Sequence, residues 1–589
     1  MKLSKLLTEP WLYTSAFILA LVLRLTNLGS AALTDGEAAW AMQALDTLRG
    51  SHPLIGSQPA YVQLTTVLFF LFGPSNDLAR LWPALFGSLL VLVPLLGRRI
   101  IGRKAAVVLA FGLALDPGLA AISRQAGGAM IAVASGWLAL VFLKTRKPLL
   151  AGIALGLAVM CGETFWLGLA GLAVALGIAR LLKIPLFVNQ EDLDGVETLP
   201  AMPGGALRSA AIGFAASILL IGSLFFLAPR GLGASLAGLP VFLGGWASLA
   251  GVPVLQILAA LLVYQPFAVA LGLWAGIQAW NRSEPLDRFL GIWALAALLL
   301  VLLYPSRQAS GLALVLVPVW ILAARELVRH VEIEAEINAP ALGVAGLTII
   351  IAIFTWINLL GISKGIQDNY PSQSRWIAVF IGVLIVGIAG LLISWGWSRE
   401  AARKGILWGI CAAMSLYLVY TATNAVNLRP DQSPEFWNQD ASIPKANLLI
   451  GTLDNLSDLH ATRKDALDIT VMGVSSPALR WALRGYSKAI FTDQLETGVQ
   501  PSIVITEQEK EPALAAAYRG EGFLWYQSTN WSLMLSAEYL PWLVMRHAPL
   551  QKSSLVLWVR SDIFPDFQNS STTDQQNQPQ SQPELVPQP

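Results

Sequence analysis

Long apolar runs dominate the first 425 residues of the chain. A helix needs roughly 20 apolar residues to cross the hydrocarbon core of a bilayer, and by that criterion we predict about 13 transmembrane helices. They lie near 11–27, 79–97, 105–121, 129–143, 148–162, 164–182, 209–227, 262–281, 289–304, 309–324, 341–360, 375–397 and 405–423. The apolar stretch 234–261 is interrupted by glycine and proline, so we interpret it as a re-entrant or interfacial segment, with a further span as the alternative.

The pattern changes after residue 425, where charged and turn-forming residues become common. Short apolar runs at 467–474, 488–492 and 502–506 predict buried strands, and the stretches 476–486 and 511–520 predict helices. Such alternation is typical of a small α/β domain. The final residues are rich in Gln, Ser, Asn and Pro and predict disorder. We therefore expect three regions, namely a transmembrane domain (1–425), an α/β domain (426–567) and a disordered tail (568–589).

Composition narrows the class of protein. Of the 589 residues, 55% are hydrophobic and only 13% are charged. A soluble domain carries about 25% charged residues, so this chain is too apolar to be a soluble globule or a disordered protein. The formal net charge is +2, and no Lys/Arg-rich block indicates binding to nucleic acid. The sequence therefore predicts a polytopic α-helical membrane protein whose partner is the lipid bilayer.

The distribution of lysine and arginine predicts the orientation of the chain. Basic clusters precede the first predicted span at Lys2 and Lys5 and recur on alternate sides of later spans, for example at Arg98 and Lys144. Because cytoplasmic loops carry the excess of Lys and Arg, we expect a cytoplasmic N-terminus and an extracytoplasmic C-terminal domain. The alternative is that residues 1–32 are a cleaved signal peptide. Arg24 within the apolar run and the many spans that follow argue against it.

Two carboxylates occupy the first predicted outer loop. Asp35 and Glu37 follow the first span at the membrane surface. One of them would serve as a general base toward a hydroxyl, and both together would suit a divalent cation. The same residues also fit a structural role, because Thr34 and Glu37 have the spacing of a capping box before a helix from 36 to about 48. The two roles are compatible, since a capped helix holds its carboxylates rigidly.

Arginines at the outer ends of spans run against the expected charge bias. Their planar guanidinium groups suit a phosphate or pyrophosphate at headgroup depth. The alternatives are snorkelling to the interface or ion pairs with Asp77, Asp116 or Glu163. The arginines in question are Arg80, Arg124 and Arg307.

Acids and arginines on the same side of the membrane predict one site. Its natural substrate is a lipid phosphate that carries a group to be transferred. The carboxylate would deprotonate the acceptor hydroxyl, and the arginines would stabilise charge on the departing phosphate. The apolar bundle would hold the lipid tail.

Several short motifs resemble a known family. In order along the chain they are LRLTNLG (23–29), DGEA (35–38), QPAY (58–61), LFG (71–73), RLWPALFG (80–87), DP (116–117), SR (123–124) and YPSR (304–307), followed loosely by SPALRW (476–481) and LWVRSD (557–562). Their order and spacing resemble the GT-C membrane glycosyltransferases, specifically family 39, which comprises the protein O-mannosyltransferase and aminoarabinose-transferase-like group. The resemblance covers about 1–330 and, more loosely, the outer domain.

The resemblance implies a GT-C fold and an inverting transfer from a polyprenyl-phosphate sugar at the outer face. The acceptor is then a protein, a glycan or a lipid. In such families the first outer loop carries the catalytic acid, which corresponds here to Asp35 or Glu37. Gln58 and Tyr61, in the next matching loop, become candidates for substrate binding.

The sequence departs from the family pattern at three points. The usual adjacent Asp-Glu pair is split by Gly36, and the loop at Gln58 lacks the histidine that often precedes it. The run 125–129 has neither the second arginine nor the acid that often follow, so a second carboxylate would come from Asp116 or Glu163 or be absent. The alternatives to an active transferase are therefore a catalytically degenerate lipid-phosphate-binding relative and a lipid-linked-sugar transporter or flippase. No cofactor is clearly indicated beyond the possible divalent cation.

Overall fold

The computed structural model describes residues 9–51, 53–185, 205–331, 339–367, 373–396, 398–426, 435–461, 467–495, 498–508, 512–531 and 533–563. The predicted disordered tail at 568–589 and the lysines Lys2 and Lys5 lie outside these residues. The chain divides into two compact units, Met1–Ser442 with Ser528–Leu550, and Ile443–Gln527 with Gln551–Pro589. The sequence predicted the boundary at 425/426, whereas residues 528–550, expected in the α/β domain, belong to the first unit.

The first unit is built from helices. Proline begins several of them, where its fixed φ is suited to a helix and its missing N–H is not needed. In chain order the helices up to residue 425 are α1 Glu9–Leu25, α2 Asp35–Leu48, α3 Pro59–Phe72, α4 Asn76–Leu90, α5 Val93–Ile101, α6 Arg103–Leu115, α7 Pro117–Ser123, α8 Ala129–Lys144, α9 Pro148–Val159, α10 Glu163–Leu181, α11 Ala206–Gly222, α12 Arg230–Gly233, α13 Gly238–Gly245, α14 Val254–Tyr264, α15 Pro266–Arg282, α16 Pro285–Leu303, α17 Ala313–His330, α18 Ala339–Gln367, α19 Gln373–Gly396 and α20 Arg399–Ala425.

Many of these helices can cross a bilayer. Within the described ranges, seven helical segments are long and apolar enough to span a membrane, or up to nine if each of two bent pairs counts as one span. The bent pairs are α6–α7, with a bend of 55°, and α14–α15, with a bend of 94°. Four further apolar helices, α3, α8, α9 and α11, are only 10–17 residues long. The chain is therefore a multi-pass membrane protein, and fewer helices meet the length criterion than the about 13 predicted.

Buried polar residues fix the bend between α6 and α7. Asp116 lies at the break, where its Oδ1 accepts a hydrogen bond from the Leu119 amide at 2.7 Å and caps α7. Its Oδ2 accepts a hydrogen bond from the Trp320 indole at 2.7 Å. Arg24 of α1 donates to the carbonyl oxygens of Leu113 and Ala114, which end α6, at 3.1 Å each. The break leaves backbone groups without helical partners, and these side chains satisfy them.

Residues 528–550 join the helical unit through a buried ion pair. This segment contains a short helix, Tyr539–Met545, which is followed by Arg546, whose side chain is 1% exposed. The Arg546 Nε lies 3.2 Å from Glu435 Oε1, and the Tyr264 hydroxyl donates a hydrogen bond to the other oxygen of Glu435. The guanidinium also lies over the rings of Trp542 and Tyr264, at 4.7 and 5.3 Å. Charge pairing and ring contacts together compensate for burying the cation.

A second ion cluster ties the start of α16 to the end of α17. Asp287 is fully buried and accepts hydrogen bonds from Arg325 Nε at 2.5 Å and Arg329 Nη2 at 2.8 Å. Glu326, also fully buried, pairs with Arg282 at 2.6 Å.

The second unit is a small α/β domain, as predicted. It contains the helices Ala446–Ala461 and Pro477–Ala482 and a five-stranded sheet in the order β2-β1-β3-β5-β4. The strands are β1 Ile469–Met472, β2 Ala489–Thr492, β3 Ile503–Glu507, β4 Tyr518–Ser528 and β5 Gln551–Arg560.

The register of this sheet is central to the domain's core. Strand β1 pairs in parallel with β2 and β3, so that Ile469 lies between Ala489 and Ile503, and β3 pairs antiparallel with β5. The predicted helix at 511–520 is wrong. The described residues 512–517 are not helical and β4 begins at Tyr518, because alternating side chains such as Phe523 and Trp525 are buried on one face of the sheet.

Candidate active site

A cavity of about 450 Å³ opens beside the start of α2. Helix α2 begins as predicted. Thr34 caps it by accepting a hydrogen bond from the Glu37 amide, while the Glu37 carboxylate accepts one from the Thr34 amide at 3.0 Å. Among the described residues, the charged side chains that line the cavity are Glu37, Arg80, Arg124, Glu163 and Asp440.

Glu37 is held by four hydrogen bonds. Its Oε1 accepts from Arg80 Nε at 2.7 Å and from the Ala126 amide at 2.8 Å, and its Oε2 accepts from Arg80 Nη2 at 2.6 Å and from the Thr34 amide at 3.0 Å. Burial alone would raise the pKa of Glu37, but the charge of Arg80 and these hydrogen bonds outweigh it and lower the pKa below its usual value. A carboxylate this fully engaged is a weak proton acceptor. Glu37 therefore suits a positioning role.

Arg80 has no donor left for a phosphate in this conformation. A guanidinium has five N–H groups. The N–H on Nε and one N–H on Nη2 donate to Glu37. The other three donate to the carbonyl oxygens of Leu28, Ala31 and Ala32 at 2.8–3.1 Å. The geometry thus assigns Arg80 to holding the loop before α2, rather than to the phosphate binding expected from its position in the sequence.

Arg124 retains donor capacity on the cavity wall. Its Nη1 and Nη2 donate to the carbonyl oxygens at the end of α1, including Thr26 at 2.7 Å and Asn27 at 3.1 Å. Its Nε–H makes no hydrogen bond to the described residues, and the side chain is partly exposed. Of the three arginines predicted to bind phosphate, Arg124 is the one that both lines the cavity and keeps a free donor in the described part of the chain.

Besides Asp35, which is described below, three predicted residues lie outside the cavity lining. Arg307 donates to the Tyr304 carbonyl at 3.2 Å, and its neighbours Ser306 and Gln308, rather than Arg307 itself, contribute to the wall. Tyr61 is fully buried, and its hydroxyl donates to the Ala79 carbonyl at 2.7 Å. The third is Asp116, which is buried at the α6–α7 break and acts there as a helix cap.

Two other predicted residues do contribute to the cavity wall. Gln58 accepts a hydrogen bond from the Gly128 amide at 2.7 Å through its side-chain oxygen, which fixes the amide and leaves its nitrogen as a donor. Glu163, the first residue of α10, is partly exposed and lies beside Tyr304. Glu163 rather than Asp116 is therefore the candidate second acid that reaches the cavity.

Asp35 is on a different side of α2 from the cavity. The residues of α2 that line the cavity are Gly36, Glu37 and Trp40. With about 100° of rotation per residue, these three positions cover an arc of about 100°. Asp35 lies about 100° outside this arc on the side of Gly36, and it is not among the described residues that line the cavity.

Asp440 is the acid that the sequence analysis missed. Its Oδ2 accepts hydrogen bonds from the Thr34 hydroxyl at 2.9 Å and from the Gly36 amide at 3.1 Å. A side chain at position 36 would collide with it, since a Cβ on Gly36 would lie 2.5 Å from Asp440 Oδ2. More than 400 residues separate the two positions, so no local motif could have indicated this contact.

The segment that carries Asp440 is held firmly in the helical unit. Trp437 packs its ring against Gly118, where a Cβ would come within 2.7 Å of the indole, and its carbonyl accepts a hydrogen bond from Gln125 at 2.9 Å. Glu435 forms the buried pair with Arg546 described above. These contacts fix the backbone five residues before Asp440 and again three residues before it.

A metal site has little support from the side chains. In the part of the chain that the structure describes, no three His, Cys, Asp or Glu side chains come together as potential metal ligands. Glu37, one of the two predicted cation ligands, already has both oxygens engaged. The divalent cation expected from Asp35 and Glu37 stays a prediction.

Comparison with solved structures finds the same fold in ArnT from Cupriavidus metallidurans. The structure of ArnT bound to undecaprenyl phosphate is similar with a TM-score of 0.53 and 15% sequence identity, covering 92% of this chain and 98% of ArnT. The structure of ArnT in the apo state gives a TM-score of 0.52 at 16% identity, covering 92% and 97%. The sequence matches no protein-family model, and no curated protein matches it significantly. The chain therefore has an ArnT-like GT-C fold, as the resemblance implied.

Proposed function

We propose that this protein is a membrane glycosyltransferase that moves a sugar from a polyprenyl-phosphate donor to an acceptor hydroxyl, with inversion, at the extracytoplasmic face. The observation that carries the proposal is a polar cavity at the start of α2, containing carboxylates and a guanidinium with a free donor, within a fold similar to that of ArnT. ArnT has been solved with undecaprenyl phosphate bound, which supports a lipid phosphate as the donor's carrier.

In this proposal the cavity separates two chemical tasks. Arg124 donates a hydrogen bond to the phosphate and stabilises the charge that grows as the phosphate departs. A carboxylate accepts the proton of the acceptor hydroxyl while its oxygen attacks the anomeric carbon. The bond from that carbon to the phosphate oxygen breaks on the opposite face of the sugar, which inverts the configuration. The buried pair of Glu37 and Arg80 holds the loop on which this geometry depends.

Binding of the lipid phosphate is the first test. The probe is undecaprenyl phosphate added to the purified full-length protein in nanodiscs, with bound lipid measured by native mass spectrometry. We expect binding, and we expect Arg124→Gln to weaken it by about tenfold or more, the effect of losing a charge-assisted hydrogen bond. Arg98→Gln is the matched control, because Arg98 pairs with Glu9 on a partly exposed surface away from the cavity.

Transfer is the second test, made by mass spectrometry of surface glycans, glycoproteins and lipids in a deletion strain. Loss of one sugar modification that the unmodified gene restores is the expected result. Lipid-phosphate binding without any such change would instead favour the catalytically degenerate relative. Failure to bind undecaprenyl phosphate would contradict the proposal. The orientation proposed here, with the N-terminus cytoplasmic and the C-terminal unit outside, is tested by a reporter fused after residue 563.

A further inference from the structure

We infer that Asp440 is the general base of this transfer, in place of an acid on α2. The inference rests on the proposed function, because it names the residue that takes the acceptor's proton. Asp440 lies near the end of the first stretch of the helical unit, Met1–Ser442, and its side chain contacts α2 at Gly36. Three observations carry the inference, namely the arc of α2 that faces the cavity, the four hydrogen bonds that occupy Glu37, and an oxygen of Asp440 that makes no hydrogen bond within the described residues.

The arc of α2 that faces the cavity has no available carboxylate of its own. Gly36 has no side chain, and Trp40 is an indole. Glu37 has both oxygens occupied by Arg80 and by two backbone amides. Asp35 lies outside the arc. A base that acts in this cavity from the α2 side must therefore come from another part of the chain.

Asp440 is placed and oriented for that role. Oδ2 is fixed by the Thr34 hydroxyl and the Gly36 amide, while Oδ1 makes no hydrogen bond to the described residues. The side chain is exposed and lines the cavity. The carboxylate also lies at the N-terminus of a 14-residue helix, where a negative charge interacts favourably with the helix dipole. A general base must be held in place within the cavity where the acceptor binds, and these contacts meet that condition.

Gly36 explains why an acid from so far along the chain can reach this position. A Cβ there would lie 2.5 Å from Asp440 Oδ2, and the next two nearest atoms belong to the same carboxylate. Glycine at this point in the first outer loop is thus matched to the incoming side chain. Gly36, which separates Asp35 from Glu37 in the sequence, is therefore the position on α2 that the Asp440 carboxylate contacts.

The chemical step balances with Asp440 as base. Asp440 Oδ1 takes the proton of the acceptor hydroxyl. The acceptor oxygen forms a bond to the anomeric carbon, and the bond from that carbon to the donor's phosphate oxygen breaks. The electron pair leaves with the polyprenyl phosphate. Asp440 then returns its proton to solvent through the open side of the cavity.

The experiment compares single variants in an active preparation. Full-length protein in nanodiscs is incubated with radiolabelled undecaprenyl-phosphate hexoses and pentoses and with host membrane extract as the source of acceptor. We expect Asp440→Asn to lower transfer by about 10²–10⁴-fold, the typical contribution of a general base. Asn still accepts the hydrogen bonds from Thr34 and Gly36, so the fold and undecaprenyl phosphate binding are expected to persist. Asp46→Asn, on the same helix and away from the cavity, is the matched control.

A relocation variant separates catalysis from positioning. Gly36→Asp combined with Asp440→Ala moves the carboxylate onto α2, into the space that the Asp440 side chain vacates. We expect it to recover at least tenfold of the transfer lost in Asp440→Ala alone. A pH profile adds a second readout. If Asp440 is the base, Asp440→Asn removes the acidic limb of kcat/KM, whereas a purely structural role would lower the rate equally at every pH.

Each outcome decides the assignment. Loss of transfer in Asp440→Asn with normal lipid binding, together with recovery in the relocation variant, supports it. Retained transfer in Asp440→Asn overturns it, and so does a loss confined to Asp35→Asn or Glu163→Gln. If the unmodified protein transfers none of the sugars, the proposed function fails and the assignment of Asp440 fails with it.

Discussion

Arg80 and Glu37 form a bidentate pair in which Arg80 Nε lies 2.7 Å from one carboxylate oxygen and Nη2 lies 2.6 Å from the other. Both side chains are buried, at 7% and 8% exposure. The pair links α4 to the start of α2, and the Ala126 amide extends it to the loop after α7. One buried contact therefore fixes three walls of the cavity.

We expect Glu37→Gln to destabilise the protein by about 3–5 kcal/mol, because it leaves the buried guanidinium of Arg80 without a counter-charge. Thermal unfolding in nanodiscs measures the effect. Glu9→Gln is the control, since the Glu9–Arg98 pair is 31% and 40% exposed and exposed pairs contribute about 0–1 kcal/mol. Equal losses in the two variants would contradict a structural role for the buried pair.

The same pair predicts a dependence of stability on pH. The pKa of Glu37 is lower in the folded protein than its usual value of 4.5. A lowered pKa contributes stability that is fully present above the unfolded value and is lost as the pH falls through the folded value. The stability difference between the unmodified protein and Glu37→Gln should therefore be constant above about pH 5 and shrink at lower pH. A difference that grows on acidification would contradict this assignment.

Gly36→Ala should separate stability from activity. Alanine favours a helix over glycine by about 1 kcal/mol, so the helix itself gains. The new Cβ would lie 2.5 Å from Asp440 Oδ2 and must displace that carboxylate. We expect unchanged or raised thermal stability with at least tenfold slower transfer. A variant that transfers sugar at the normal rate would show that the contact between Gly36 and Asp440 has no role in the reaction.

The buried pair of Arg546 and Glu435 should hold residues 528–550 in the helical unit. Arg546→Met leaves Glu435 as an uncompensated buried charge and should cost about 3–5 kcal/mol. Combining it with Glu435→Gln should recover much of that loss, because both charges are then absent. Unfolding in nanodiscs measures both variants. The partly exposed pair of Arg560 and Asp562 provides a control, since Arg560→Gln is expected to change stability by less than 1 kcal/mol.

Asp287 offers a test far from the cavity. It lies at the start of α16, about 24 Å along the helix axis from the end that precedes the cavity residues Ser306 and Gln308. Asp287→Asn should lower stability by a few kcal/mol, because Arg325 and Arg329 lose a buried partner. Binding of undecaprenyl phosphate in the folded fraction should be unchanged. A loss of undecaprenyl phosphate binding without destabilisation would contradict the expectation that the Asp287 ion cluster does not influence the cavity.

Local sequence patterns identified the features that depend on neighbouring residues. The capping box of Thr34 and Glu37 predicted where α2 begins, and the apolar runs predicted β1, β2 and β3 within a few residues. Strand β4 was not predicted, and the helix predicted at 511–520 overlaps its start, because this strand depends on pairing with β5 across the sheet rather than on its own residues. Of the candidate acids and arginines, Glu37, Arg80, Arg124 and Glu163 line one cavity, but the sequence could not separate their roles.

The sequence by itself determined that the chain is an apolar helical membrane protein with a small α/β unit, because hydropathy and periodicity are properties of neighbouring residues. The tertiary structure alone decided which charges pair and which remain available. Arg80 donates to Glu37 instead of to a ligand, and Asp35 does not line the cavity. Asp440 contacts Gly36 although 404 positions separate them along the chain. A hydrogen bond depends on distances of about 3 Å between atoms, and separation along the sequence carries no information about such distances.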